Sequence, residues 1–237
     1  MRSKQLALDQ YDTDKISSKY LERYDPILEP WVDKEVKLLE IGIYKGGSLR
    51  LWRDYFPLGT IAGIDIRTPE NGTLGERIRL FKANQGDTQT LTKIANEIAP
   101  EGFDIIIDDG SHIGALTRTT FWHLFDNHLK SSGLYVIEDW GTGYWEDWPD
   151  GQAFASRERT LTNMWSALLG KLSFARKIPL SIRSNNHGYG MVGFIKELVD
   201  EQGAADLTRK RLQGTPTRQS KFESMVIMPS LVFVKKR

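Results

Sequence analysis

The sequence predicts an α/β fold in which a mostly parallel sheet carries helices on both faces. Short β-branched runs alternate with helix-like segments from Val36 onward, the order expected of strands joined by crossover helices. Those runs are unbroken rather than alternating apolar and polar, as strands buried on both faces require. The C-terminal FESMVIMPSLVFVKKR (222–237) departs from this pattern. Its two strand-like runs flank Pro229-Ser230 and predict an antiparallel hairpin.

The elements follow in order along the chain. VKLLEI (36–41) is strand-like, and GSLRLWRDYF (47–56) has the apolar spacing of an amphipathic helix. TIAGIDI (60–66) and RIRLFKAN (77–84) are the next two strands. DTQTLTKIANEIA (87–99) is helical, with Asp87 placed as its N-cap. FDIIIDD (103–109) is a strand, a helix runs from there to about Lys130, and GLYVIED (133–139) is another strand. With 237 residues the chain is long enough for one sizeable core. A single domain is expected: an N-terminal helical lid (1–35), a cofactor-binding sheet (36–139), a cap or substrate insertion (140–221) and the hairpin (222–237). Within the insertion MVGFIKELVDE (191–201) reads as a helix, and a flexible part is expected near 203–221.

Composition narrows the function. Basic residues number 32 and acidic residues 31, so bulk charge gives no reason to expect a nucleic-acid or membrane partner. The absence of cysteine excludes disulfides, thiolate catalysis and cysteine metal sites. The opening MRSKQLALDQYDTDK lacks the apolar core of a signal peptide. A cytoplasmic protein acting on a small molecule is expected.

EIGIYKGGS (40–48) carries a glycine turn between a strand and a helix. A phosphate-cradling loop would need a lysine after Gly47, where Ser48 stands. A dinucleotide fingerprint would need glycine at Tyr44, since a side chain there blocks approach of a pyrophosphate. A ligand with an adenosine and no pyrophosphate remains. Asp65, about twenty residues beyond the turn, is placed for ribose hydroxyls, and Glu40 for a ligand amino group. S-adenosylmethionine has both groups and no phosphate. The alternative is a turn that serves only tight strand–helix packing.

FDIIIDDGSH (103–112) and GLYVIED (133–139) each end a strand in two carboxylates. In an open α/β sheet, strand ends of this kind meet at one ligand-binding edge. Clustered carboxylates repel unless something offsets them. A hard divalent cation on Asp109, Glu138 and Asp139 does so, with magnesium the natural candidate because it keeps waters that a substrate can displace, and manganese the alternative. His112, three residues beyond Asp109, is suited to take a proton from an acceptor hydroxyl. Alternatively, Asp109 or Ser111 caps the helix that starts near Gly114. His123, His128 and His187 are expected to be structural.

Together LLEIGIYKGGSLRLW, FDIIIDDGSH, GLYVIED, GMVGFIKELVDE and SMVIMPSLVFVKKR resemble the metal-dependent sugar O-methyltransferases of macrolide and related natural-product biosynthesis. The likeness extends to TDKISSKYLERYDPIL near the N-terminus. It implies a seven-stranded, Rossmann-like class I methyltransferase sheet with an antiparallel last strand. It also implies magnesium on Asp109, Glu138 and Asp139, with His112 as general base. S-adenosylmethionine is then held by Glu40, Gly42, Asp65, Gln85 and Asp87, with Tyr44 and Gly46 of the turn and Asp108 alongside. Members of the family are often homo-oligomers. Lys19 stands where many relatives carry histidine, and the long N-terminal domain of some sugar-modifying relatives is not expected here. Both differences bear on the acceptor more than on the reaction.

Trp140, Tyr144, Trp145 and Trp148 follow the acidic pair directly. They either stack on a sugar or aglycone or anchor the cap to the core. Arg157, Arg159, Arg183 and the basic run at 209–211 read as solvated faces. The predicted reaction is methyl transfer to a hydroxyl with a second oxygen nearby, as on a sugar vicinal diol. A cephalosporin-hydroxylase-like relative and a non-catalytic adenosine-binding module are the competing readings.

Overall fold

The computed structural model describes residues 1–69, 74–155, 187–204 and 218–237. Arg157, Arg159, Arg183, the basic run at 209–211 and most of the part expected to be flexible near 203–221 lie outside them. Strands β1 (Lys37–Ile41), β2 (Thr60–Asp65), β3 (Ile78–Lys82), β4 (Phe103–Asp108), β5 (Leu129–Glu138), β6 (Phe222–Met228) and β7 (Leu231–Lys236) form one sheet. Their order is β3-β2-β1-β4-β5-β7-β6. β7 runs antiparallel to both β5 and β6, whereas the pairs from β3 to β5 are parallel. This is the seven-stranded sheet with an antiparallel last strand that the family resemblance implies. β5 begins at Leu129, four residues earlier than read.

Helices α3 (Gly47–Tyr55), α4 (Thr88–Ile98) and α5 (Gly114–His128) are the crossovers. Side chains on the strands alternate between two cores because successive residues face opposite sides. Leu39, Ile41, Ile106 and Ile137 meet α4, α5 and α6 (Gly190–Gly203) through Leu91, Phe121, Phe125 and Phe194. Leu38, Ile105, Ile107 and Val136 meet α3 and α2 (Tyr20–Leu28) through Leu49, Trp52, Tyr24 and Leu28. The N-terminal segment therefore closes one face of the sheet, with Tyr24 and Leu28 fully buried. No helix among the described residues is long and apolar enough to cross a membrane.

Asp87 accepts from the Thr90 amide at 3.1 Å and caps α4 as expected. The start of α5 is capped differently. Asp150 accepts from the Gly114 amide at 2.7 Å and from the Met191 amide at 2.8 Å. One buried carboxylate thus serves the first turns of both α5 and α6, where the helix dipoles favour negative charge. The close approach of Gly114 to Gly190, where an added Cβ would lie 2.1 Å from the Gly190 carbonyl carbon, makes the shared cap feasible.

Candidate active site

Register brings the carboxyl ends of the strands level: Ile41 pairs with Ile64 and Asp108, and Asp108 with Ile137. The glycine turn, Asp65 and both acidic pairs therefore gather at one edge, around a cavity of about 680 Å³. That volume lies within the range of small-molecule sites. Gly42, Tyr44, Asp65, Gln85, Asp109, His112 and Asp139 line it, whereas Glu40, Gly46, Asp87, Asp108 and Glu138 do not. Ile64, Ile66, Ala83 and Leu116 supply apolar wall.

The turn is glycine-rich because two other segments press on it. A Cβ on Gly42 would lie 2.0 Å from the Asp109 carbonyl oxygen, at φ +99. A Cβ on Gly47 would lie 1.9 Å from the Asp12 carbonyl oxygen. Asp65 fixes the turn by accepting from the Ile43 amide at 2.8 Å and the Tyr44 amide at 3.3 Å. Tyr44 is 78% exposed at φ +46. Its ring stands at the mouth of the cavity rather than in the core. Gly42→Ala is expected to lower the unfolding free energy by about 1–3 kcal/mol, measured by urea unfolding. An unchanged midpoint would show that the turn yields freely.

The acidic pairs divide by strand period. Asp108 turns toward the α5 side, where it accepts from Tyr135 at 3.3 Å and Gln85 at 3.4 Å. Burial pushes its carboxyl up to about 7. Gln85 also accepts from the Ser111 amide at 2.8 Å, so the stretch after β3 holds the loop that presents His112. Glu138 turns toward the α2 side and accepts from Tyr24 at 2.5 Å and Lys15 at 2.8 Å. Glu40 accepts from Ser48 at 2.7 Å and Trp52 at 3.1 Å, stapling β1 to α3. Burial raises the carboxyls of Glu40 and Glu138, and Lys15 opposes the rise in both.

Asp109, His112 and Asp139 converge at the cavity. Each offers a ligand atom within 4.8 Å of the others'. His112 Nε2 lies 3.7 Å from Asp109 Oδ1 and 4.0 Å from Asp139 Oδ2. His112 and Asp139 both take left-handed backbone, at φ +51. That conformation is uncommon away from glycine, and it clusters where function fixes the backbone. Asp139 is further held by a hydrogen bond from the Tyr20 hydroxyl, and burial raises its carboxyl. Carboxylate oxygens with an imidazole nitrogen make a donor set that fits a divalent cation.

Of the four aromatics after the acidic pair, Trp148 reaches the site, its ring 5.9 Å from that of His112. Trp140 instead donates to the Met228 carbonyl at 3.0 Å and ties the insertion to the hairpin. His187 stacks on Phe154 at 3.7 Å and bonds to the Gly143 carbonyl at 2.7 Å. His123 and His128 meet Thr92 at 2.9 and 3.3 Å. None of these three histidines lines the cavity.

No family model matches the chain. It is 41% identical over 153 residues to the mycinamicin VI 2''-O-methyltransferase of Micromonospora griseorubida, covering 56% of this chain and 37% of that one. It is 32% identical over 219 residues to the demethylmacrocin O-methyltransferase of Streptomyces fradiae, covering 81% of this chain and 54% of that one. A solved structure of the MycE methyltransferase of mycinamycin biosynthesis, in complex with Mg and SAH, superposes with TM-score 0.64 at 30% identity. That match covers 91% of this chain and 48% of the other. The chain spans about half the length of these relatives, or less. It has the class I methyltransferase fold and is related to sugar O-methyltransferases.

Proposed function

We propose that this chain is an S-adenosylmethionine-dependent, divalent-cation-dependent O-methyltransferase, acting on a hydroxyl of a sugar vicinal diol in a glycosylated natural product. The observation that carries the reading is one continuous cavity. It runs from Asp65 and the glycine turn to Asp109, His112 and Asp139. The related chains named above are sugar O-methyltransferases.

Asp65 and the turn fit a ribose and its adenine, with Ile64, Ile66 and Ala83 as the apolar slot. Asp109 and Asp139, with Glu138 behind them, would hold the cation. A cation held there would supply Lewis-acid activation of the acceptor hydroxyl. His112 takes the hydroxyl proton on Nε2, the nitrogen that faces Asp109 and Asp139. The methyl carbon gains a bond to the acceptor oxygen as its bond to sulfur breaks. Asp87, at the N-cap of α4, supports the loop after β3 rather than the cavity wall.

Calorimetric titration of S-adenosylhomocysteine, with NAD and ATP as controls, tests the reading. Saturable micromolar binding of S-adenosylhomocysteine alone is expected, followed by magnesium-dependent methylation in a screen of glycosylated acceptors. Preference for NAD or ATP, or no binding at all, would sink the proposal.

A further inference from the structure

Lys15 is fully buried and belongs to none of the roles assigned above. It comes from α1 (Asp14–Ser17), directly after the Asp12–Asp14 stretch that edges the cavity. Lysine is almost never buried unless paired. Here its ammonium lies 2.6 Å from Asp109 Oδ2, 2.8 Å from Glu138 Oε2 and 3.4 Å from Glu40 Oε1. We propose that Lys15 sets the affinity of the site for a divalent cation, as a resident positive charge that shares Asp109 with it. The inference rests on the reading that these carboxylates hold such an ion.

Two observations point the same way. Asp109 is divided: one oxygen is on Lys15, and the other faces His112 and the cavity. An ion on the free oxygen therefore has the ammonium across a single carboxylate, and like charges at that separation oppose each other strongly. Glu138 is fully engaged, with one oxygen on Tyr24 and the other on Lys15. Removing the ammonium lifts the repulsion and also releases a Glu138 oxygen as a ligand. Lys15 thus balances buried carboxylates when no ion is bound and weakens the ion when one is. It is a positioning residue acting through Asp109 and Glu138.

The test is calorimetric titration of Mn²⁺ at pH 8 into the wild type, Lys15→Met and Lys15→Arg, with thermal unfolding in the presence and absence of the ion. Lys15→Met is expected to bind Mn²⁺ about tenfold tighter or more. Its Tm should fall below the wild type without the ion and recover more on adding it, as linkage requires. Lys15→Arg, which keeps the charge, should keep wild-type affinity. A residue that merely packs would lower the Tm equally with and without Mn²⁺ and leave the affinity unchanged; that result overturns the inference. If Lys15→Met does not fold, Lys15→Met/Glu138→Gln is compared with Glu138→Gln, and a smaller tightening is expected, from the lifted repulsion alone. A wild type that binds no Mn²⁺ would overturn the cation reading itself and this inference with it.

Discussion

His112→Ala is expected to lower kcat for methyl transfer by about 10²–10⁴-fold, the usual contribution of a positioned general base, while S-adenosylhomocysteine binds almost as before. The imidazole is not free to serve elsewhere. Its loop is tied down by Gln85 through the Ser111 amide, and its backbone takes the left-handed conformation. Its Nε2 faces the two cavity carboxylates. Single-turnover transfer to an accepted substrate, read beside calorimetric titration, separates chemistry from binding. An unchanged rate would remove the base and favour a module that only binds the cofactor. A rate that falls together with Mn²⁺ affinity would instead assign His112 to the ligands of the ion, since its ring nitrogen lies within reach of both carboxylates.

Much of this site was legible because strand ends carry it. The unbroken apolar runs located β1, β2, β4 and β5, and sheet topology then required their last residues to meet at one edge. The glycine turn was legible as tight packing, although the partners that make Gly42 and Gly47 obligatory lie in the loop after β4 and in the N-terminal segment. The orientation of the acidic pairs follows from the period of two, since neighbours on a strand cannot both face one cavity. Asp108 and Glu138 accordingly turn to opposite cores, while Asp109 and Asp139, just past the strand ends, reach the cavity. Glu40, two residues from Leu38 on the same face, joins the core of Trp52 by the same rule.

Lys15, Tyr20, Tyr24 and Asp150 were not legible as site or capping residues. Their partners lie far away in sequence, and no local pattern marks a lysine that will be buried. The N-terminal TDK segment was noticed by likeness alone, whereas its role depends on docking across the sheet. Asp150 likewise becomes a shared cap only when α5 and α6 start side by side.

Trp52→Ala is expected to lower the unfolding free energy by about 3–5 kcal/mol, the range for truncating a large buried aromatic. Trp52 is fully buried. It packs edge-on against Tyr24 at 5.0 Å and Tyr55 at 5.7 Å between ring centroids, and its indole donates to Glu40. Two costs therefore add: the cavity left among these rings, and a buried carboxylate short of a donor. Trp52→Phe keeps most of the volume and loses only the donor, so about 1–3 kcal/mol is expected there. Urea unfolding of the pair separates the two costs, and equal losses would mean that the hydrogen bond carries the whole effect. The consequence reaches the site because Tyr24 is the common member. Its ring rests on Trp52 and its hydroxyl holds Glu138. A hole at Trp52 leaves Tyr24 free to move and to release a Glu138 oxygen, so Mn²⁺ affinity should rise in Trp52→Ala and hold in Trp52→Phe. Affinity unchanged in both would show that Lys15 and the strand backbone position Glu138 without the aromatic core.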